Sequence, residues 1–194
     1  MNSPKNPGPA RHATASPGRA DARRNHERVI TAAIDLFREH GALVTIPQVA
    51  AKAQVGKATV YRGFPTKEDL LESITQLGLD ELARRTAKAR READPYEGFR
   101  VYVFELFDVL AHDRLLAERL ADAVSQTALP LLEPLIEVME TARATGKLRA
   151  DATPRDVRVL LCGAALQLVR FGERDPAVWR RYGDMVLQAL CHRP

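Results

Sequence analysis

Apolar residues recur at three- and four-residue steps along most of this chain, and this period constrains the fold more than any other feature. Val29, Ile30, Ala33, Ile34 and Phe37 form the first such stripe. The spacing is that of one face of an α-helix, whereas no stretch of useful length alternates apolar and polar residues as a β-strand would. Hydrophobic residues make up 45% of the 194 positions, which is enough for a packed core. We therefore predict an all-α protein of about nine helices.

Capping residues, proline and glycine mark where the helices begin and end. The first helix begins near Asp21 and ends at Gly41, because glycine suits the position just after a helix. Thr45 and Gln48 match a capping box at the start of the second helix. Comparable start signals precede three later helices, at Thr66, Thr153 and Asp175.

The N-terminal segment differs in composition from the rest of the chain. Residues 1–20 contain four prolines and, apart from Met1, no large apolar residue, so they cannot offset the entropy cost of ordering. We predict a disordered basic tail over 1–20, which either lies along a DNA groove or only solubilises the chain. A helix-turn-helix domain over 21–72 and a second helical domain over 73–194 complete the predicted organisation.

Charge is divided unevenly between the two ends of the chain. Residues 1–67 hold 11 Lys and Arg against 4 Asp and Glu, whereas the remainder holds 18 against 21. No acidic residue occurs from His40 to Lys67. This asymmetry favours contact with a polyanion at the N-terminal end, although an ordinary solvated charged face is the alternative.

The segment from Gln54 to Leu71 lies partly in this acid-free region and carries the strongest functional pattern. A tight turn at 54–56 joins the second and third helices, as in a helix-turn-helix. An α-helix fits a major groove about 12 Å wide, and the third helix carries Lys57, Thr59, Tyr61 and Arg62. Thr59 could meet a thymine methyl or a phosphate, and Arg62 a guanine edge or a phosphate.

Residues 23–72 resemble the N-terminal domain of the tetracycline-repressor (TetR) family of bacterial regulators. The matching residues include Ala32, Phe37, Gly41, Thr45, Val49, Ala53, Lys57, Thr59, Tyr61, Phe64, Pro65, Lys67 and Leu71. The resemblance implies a homodimer on the double-stranded DNA of a palindromic operator and a C-terminal domain that binds a small-molecule effector. It also implies DNA contacts, which we assign to Thr45, Gln48, Gly56, Lys57, Ala58, Thr59, Tyr61, Arg62 and Lys67.

Three positions depart from the family pattern. Gln54 replaces the usual turn glycine, and a left-handed glutamine would cost roughly 1 kcal/mol relative to glycine. Gly56 replaces the usual serine cap of the third helix and is a weaker cap. Gly63 replaces a bulkier residue that is often aromatic or histidine. These three changes leave the fold prediction as it is. The residues of the third helix do not determine the operator sequence.

The last two helices resemble those that form a four-helix dimer interface in many family members. We assign to this interface Val157, Leu161, Ala164, Leu168, Trp179, Tyr182, Val186 and Leu190. Some of these residues must instead form the core of the subunit.

An aromatic-rich stripe on the fifth helix suggests a pocket for an apolar or aromatic effector among helices 5 to 8. Candidate lining residues are Phe99, Tyr102, Val103, Phe107, Arg119, Leu120, Gln126, Met139 and Gln167. For each residue taken singly, a place in the core or on the surface is the alternative.

Other function classes lack support in the sequence. The five histidines show no helical pairing typical of a metal site, and no Ser or Cys lies in an activating motif. Cys162 lies in an apolar run, which predicts that it is a buried small residue. We therefore expect a cytoplasmic ligand-responsive repressor without cofactor, metal, catalytic residues or membrane contact. The alternatives are a TetR-like protein that acts through protein contacts without binding DNA and a helical-bundle enzyme.

Overall fold

The computed structural model describes residues 17–121 and 129–191, and these residues form nine α-helices. They are α1 (Pro17–His40), α2 (Ile46–Lys52), α3 (Lys57–Gly63), α4 (Lys67–Thr86), α5 (Pro95–His112), α6 (Arg114–Ala121), α7 (Leu129–Arg143), α8 (Pro154–Arg170) and α9 (Pro176–Leu190). Short 3-10 turns follow α1 and α4, at Gly41–Leu43 and Ala89–Arg91. The predicted all-α fold is confirmed, and within the described ranges the only β feature is one isolated bridge, between Leu148 and Cys191.

The helix starts follow the predicted capping signals. The Thr66 backbone N–H donates to Asp69 Oδ2 at 2.7 Å, and the Asp69 N–H donates to Thr66 Oγ1 at 3.1 Å. Thr153 forms the same reciprocal pair with Asp156. Asp175 accepts from the Ala177 N–H at 2.9 Å. These contacts satisfy amide groups that the first turn of a helix leaves free.

The first helix is longer than its apolar period indicated. α1 begins at Pro17, so residues 17–20 are helical although they were assigned to the disordered tail. Ion pairs on the turns that follow, Arg24 with Asp21 and Arg23 with Glu27 at 3.5 Å, support a part of the helix that buries little. The rest of the predicted tail, residues 1–16, lies outside the described residues.

The chain builds two separate apolar cores. The first is closed by α1 to α4 and includes Phe37, Val49, Val60, Leu70 and Ile74, all at most 3% exposed. It is small and depends on close approach of helices at Ala33, Ala50 and Ala53. This core fixes the angle between α2 and α3.

The second core is larger and lies among α5 to α9. Phe99, Tyr102, Phe107 and Trp179 are its largest fully buried side chains. Gly183 of α9 lies against the Phe107 ring, because a Cβ there would come within 3.1 Å of the ring. No helix among the described residues is long and apolar enough to cross a membrane.

Two helices join the cores. α4 is continuous across the predicted boundary at residue 72, since Ile74 packs in the first core and Leu82 in the second. From α6, Leu115 packs in the first core and Leu116 in the second. A movement of α4 or α6 relative to the second core must therefore also shift side chains of the first core.

Candidate nucleic-acid interface

The turn between α2 and α3 contains a left-handed residue, Gln54, with a φ of 54°. The strain expected for glutamine at this position is therefore present. From α1, Arg28 Nη2 donates to the Gln54 backbone carbonyl at 3.3 Å and to Gln54 Oε1 at 3.2 Å. These contacts hold the turn that sets the angle between the two helices.

α3 buries one face in the first core and exposes the other. Val60 is 0% exposed. Because successive helical residues are rotated by about 100°, Ala58 and Arg62 lie nearly opposite Val60. Lys57, Ala58, Tyr61 and Arg62 are exposed, and Thr59 is half-buried. The outward face is therefore basic and aromatic, with small residues that allow close approach.

Three predicted contact residues lie at the starts of α2 and α3. Thr45 and Gln48 are exposed, and Gln48 Oε1 accepts from the Thr45 backbone N–H at 2.7 Å and its hydroxyl at 2.8 Å. Gly56 caps α3 in an extended conformation, with φ −70° and ψ 148°. A Cβ at Gly56 would meet nothing within 4 Å, so the position is open to a ligand.

The backbone of Ala42 connects Lys67 to α6. Lys67 is half-buried, and its Nζ donates to the Ala42 carbonyl at 2.6 Å. The Ala42 N–H in turn donates to Glu118 Oε2 of α6 at 2.8 Å. Arg114 Nε donates to the other Glu118 oxygen at 2.8 Å. One residue, Ala42, thus links a predicted DNA contact to α6.

A second link joins α1 to the start of α6. Asp113 is 6% exposed, accepts from the Leu116 N–H at 2.9 Å, and pairs with Arg38 Nε at 3.2 Å. Burial raises the pKa of the Asp113 carboxyl above its ordinary value, and Arg38 and the backbone N–H groups oppose that rise. From α6, Arg119 also forms an ion pair with Glu68 at the start of α4.

The predicted effector-pocket residues do not converge on one cavity. Phe99, Tyr102, Val103, Phe107, Leu120 and Met139 are each at most 1% exposed and pack in the second core. Arg119 is engaged with Glu68, and Gln167 is exposed on α8. Gln126 lies outside the described residues. The apolar period located the core correctly but did not distinguish core packing from a pocket wall.

The predicted dimer residues fall into two groups. Val157, Leu161, Trp179 and Leu190 are at most 2% exposed and face the core of their own subunit. The other four, Ala164, Leu168, Tyr182 and Val186, line an open groove of about 360 Å³ between α8 and α9. Gly163, Phe171 and Met185 also line it, and the sequence prediction missed Gly163 and Phe171. Phe171 is 79% exposed and Met185 44%, although both are apolar.

The cysteines and acids show no metal site within the part of the chain that the structure describes. Cys162 is buried as predicted, and burial raises the pKa of its thiol. Cys191 lies 3.1 Å from the Tyr96 hydroxyl, and this contact is the main cause that raises the pKa of Tyr96 to about 12.

Comparison with known proteins agrees with the helix-turn-helix assignment. The family described as "Bacterial regulatory proteins, tetR family" matches residues 29–74. No curated protein sequence matches the chain.

Solved structures resemble the chain along most of its length. A TetR transcriptional regulator from Streptomyces coelicolor is 27% identical with a TM-score of 0.60, and the match covers 87% of this chain and 99% of that chain. The fatty acid degradation regulator of Bacillus halodurans is 22% identical with a TM-score of 0.62, covering 85% and 99%. A Bacillus subtilis transcriptional regulator in complex with stearoyl-CoA is 17% identical with a TM-score of 0.64, covering 85% and 99%. The similarity therefore includes both cores.

Proposed function

We propose that the chain is a repressor of the TetR family of bacterial regulatory proteins and that it binds a palindromic operator as a homodimer. In this proposal residues 21–72 bind DNA, and residues 73–194 bind the effector and the second subunit. The effector lowers operator affinity. The observation that carries the proposal is the exposed face of α3, which is basic and aromatic and lies in a region without acids.

The chemistry of this face suits duplex DNA. Lys57 and Arg62 supply charge for phosphates or guanine edges, and Tyr61, 49% exposed, supplies a phenol hydroxyl. Thr45, Gln48 and Gly56 lie at the N-terminal ends of α2 and α3, where free backbone N–H groups favour phosphate oxygens. Lys67 contributes to the backbone contacts beside α3. Acidic residues here would repel the duplex, which explains their absence from residues 40–67.

The second subunit docks on the groove between α8 and α9. Phe171 and Met185 expose apolar surface beside Gly163 and Ala164, whose small size lets a partner helix approach closely. An isologous contact across this groove produces a two-fold dimer. That symmetry matches a palindromic operator with half-sites in successive major grooves.

The effector is an apolar or aromatic small molecule. The aromatic side chains of α5 pack in the second core, and a ligand that enters among helices α5 to α8 would replace contacts among apolar side chains. The Bacillus subtilis relative was solved with stearoyl-CoA, which carries a long acyl chain. α6 then transmits the change through Asp113 and Glu118 to α1 and Ala42.

A titration of purified protein against DNA from upstream of its own gene, with scrambled DNA as control, tests the proposal. We expect selective binding that weakens by on the order of 10³–10⁵ between 50 and 200 mM salt if roughly 6–10 phosphates are contacted. The Lys57→Ala/Tyr61→Ala double variant should lose this binding. Lys88→Ala, which removes an exposed lysine far from α3, should keep it.

Equal weak binding to both DNAs would direct the search to a more distant operator, to be selected from a random DNA pool. Failure to enrich any sequence from that pool would reject the DNA-binding proposal. In that case the alternative function would hold, in which this chain acts through protein contacts without binding DNA.

A further inference from the structure

A cavity of about 450 Å³ lies between the N-terminal part of α1 and the C-terminal end of α3. The lining side chains that can donate hydrogen bonds are Asn25 and His26 from α1 and Thr59 and Arg62 from α3. None of them belongs to the effector domain. The cavity is therefore part of the α1–α4 unit and borders the outward face of α3.

Gly63 leaves one wall of this cavity open. Gly63 is exposed, and the atom nearest to a Cβ built there would be His26 Nδ1, at 3.4 Å. The imidazole from α1 thus lies within van der Waals contact of the point where a side chain at position 63 would begin. It is stacked on the Phe64 ring, with centroids 5.2 Å apart and planes 19° apart. Because Phe64 is only 6% exposed, the stack fixes the orientation of an otherwise exposed imidazole.

The position of the cavity relative to α3 indicates what it can bind. Ala58 and Arg62 form the centre of the outward face of α3, and Thr59 and Gly63 lie on its α1 side. When a helix lies in a major groove, its flanks face the sugar-phosphate backbone that borders the groove. A cavity on the α1 flank therefore faces backbone rather than base edges.

The charge and the hydrogen bonding of the lining groups fit an anionic oxygen ligand. Arg62 is held only locally, with Nε donating to the Ala58 carbonyl at 3.2 Å and Nη2 to Thr59 Oγ1 at 3.4 Å. These exposed contacts can be exchanged for a phosphate. Asp21 also lines the cavity, but its carboxylate is paired with Arg24. The donors are thus available to a ligand that accepts hydrogen bonds.

We propose that His26 is a DNA-backbone contact, in which one phosphodiester per half-site enters this cavity and accepts hydrogen bonds from the imidazole and from Arg62. The inference rests on the proposed DNA-binding function. His26 supplies this backbone contact from α1, beside the space that Gly63 leaves unfilled. The contact positions α3 in the groove and carries no base preference of its own.

The test compares wild-type protein with His26→Phe on the selected operator. Phenylalanine keeps an aromatic ring against Phe64 but removes both ring nitrogens, so the melting temperature should change little. Loss of a hydrogen bond to a charged group should weaken binding by on the order of tenfold per half-site. His40→Ala, which removes an exposed histidine at the opposite end of α1, serves as the matched control and should bind normally.

Neutral methylphosphonate substitutions scanned across the operator identify the phosphate. We expect one position flanking each half-site at which the substitution weakens wild-type binding but does not weaken His26→Phe further. Wild-type affinity in His26→Phe, or equal sensitivity of both proteins at every phosphate, would overturn the inference and leave the proposed function intact. Absence of DNA binding by the wild-type protein would overturn both.

Discussion

At the residue scale, Gln54 occupies a left-handed turn position that disfavours any residue with a Cβ. At a φ of 54°, any residue with a Cβ is strained relative to glycine. Arg28 offsets this strain, because its guanidinium donates to the Gln54 carbonyl and side chain. We expect Gln54→Gly to raise the free energy of unfolding by up to about 1 kcal/mol, because the carbonyl contact is kept and the strain is removed. Urea denaturation measures this change.

Gln54→Ala separates the two contributions. Alanine keeps the Cβ and its strain but loses the amide that Arg28 contacts at 3.2 Å. The expected order of stability is therefore Gln54→Gly, wild type, Gln54→Ala. A Gln54→Gly variant less stable than wild type would mean that the side-chain contact with Arg28 outweighs the backbone strain.

Asp113 gives stability an unusual pH dependence. Burial raises its folded-state pKa above the ordinary 3.8, so the native state holds the Asp113 proton more tightly than the unfolded chain does. The resulting stabilisation is fully present below pH 3.8 and is lost as pH rises through the folded-state pKa. Asp113→Asn cannot titrate, so its stability relative to wild type should increase from acid to neutral pH in urea denaturation.

Asp156→Asn is the matched control with the opposite sign. Hydrogen bonds from Thr153 lower the pKa of Asp156, so its contribution is present at neutral pH and is lost as pH falls through the folded-state pKa. The stability of Asp156→Asn relative to wild type should therefore decrease from acid to neutral pH. Parallel pH trends in the two variants would contradict the assigned cause at Asp113.

At the element scale, α6 is packed against the glycine that ends α1. Gly41 has a φ of 64°, and a Cβ there would come within 2.4 Å of the Glu118 carboxylate oxygens. Gly41→Ala therefore adds backbone strain and displaces the carboxylate from the Ala42 N–H. We expect a loss of about 2–4 kcal/mol in the free energy of unfolding. Gly146 also has a positive φ, 73°, but has nothing within 4 Å, so Gly146→Ala should cost only about 1 kcal/mol. Equal losses would show that α6 contributes nothing at Gly41.

Sequence patterns predicted elements better than they predicted contacts between them. Capping boxes such as Thr66 with Asp69 are local, so they were recognised directly. α8 is apolar over a wide arc, and the period alone could not tell the part that packs inside, such as Val157, from the part that faces outward, such as Gly163. The links from Glu118 to Ala42 and from His26 to Phe64 join residues distant in sequence, and no local pattern signals them.

At the scale of the whole molecule, two cores are joined by α4 and α6, and their polar contacts restrict how the cores can move. The Arg38–Asp113 and Ala42–Glu118 contacts both connect the α1–α4 unit to α6. A shift of α6 must either carry the α1–α4 unit with it or break both contacts. In a dimer, such a shift in each subunit would change the separation of the two α3 helices, which is why subunit pairing matters to the proposed repressor.

Gly163→Glu tests the proposed dimer without disturbing the subunit. A Cβ at Gly163 meets nothing within 4 Å, and glutamate favours a helix interior over glycine, so the isolated subunit should keep or gain stability. Across the α8–α9 groove, however, two symmetry-related carboxylates would be brought together in an apolar contact. Sedimentation velocity should show a dimer for wild type and a monomer for Gly163→Glu, with operator binding lost in parallel. Leu77→Glu, which places the same charge at a 38% exposed leucine on α4, should remain dimeric. A dimeric Gly163→Glu protein would place the subunit contact on another face.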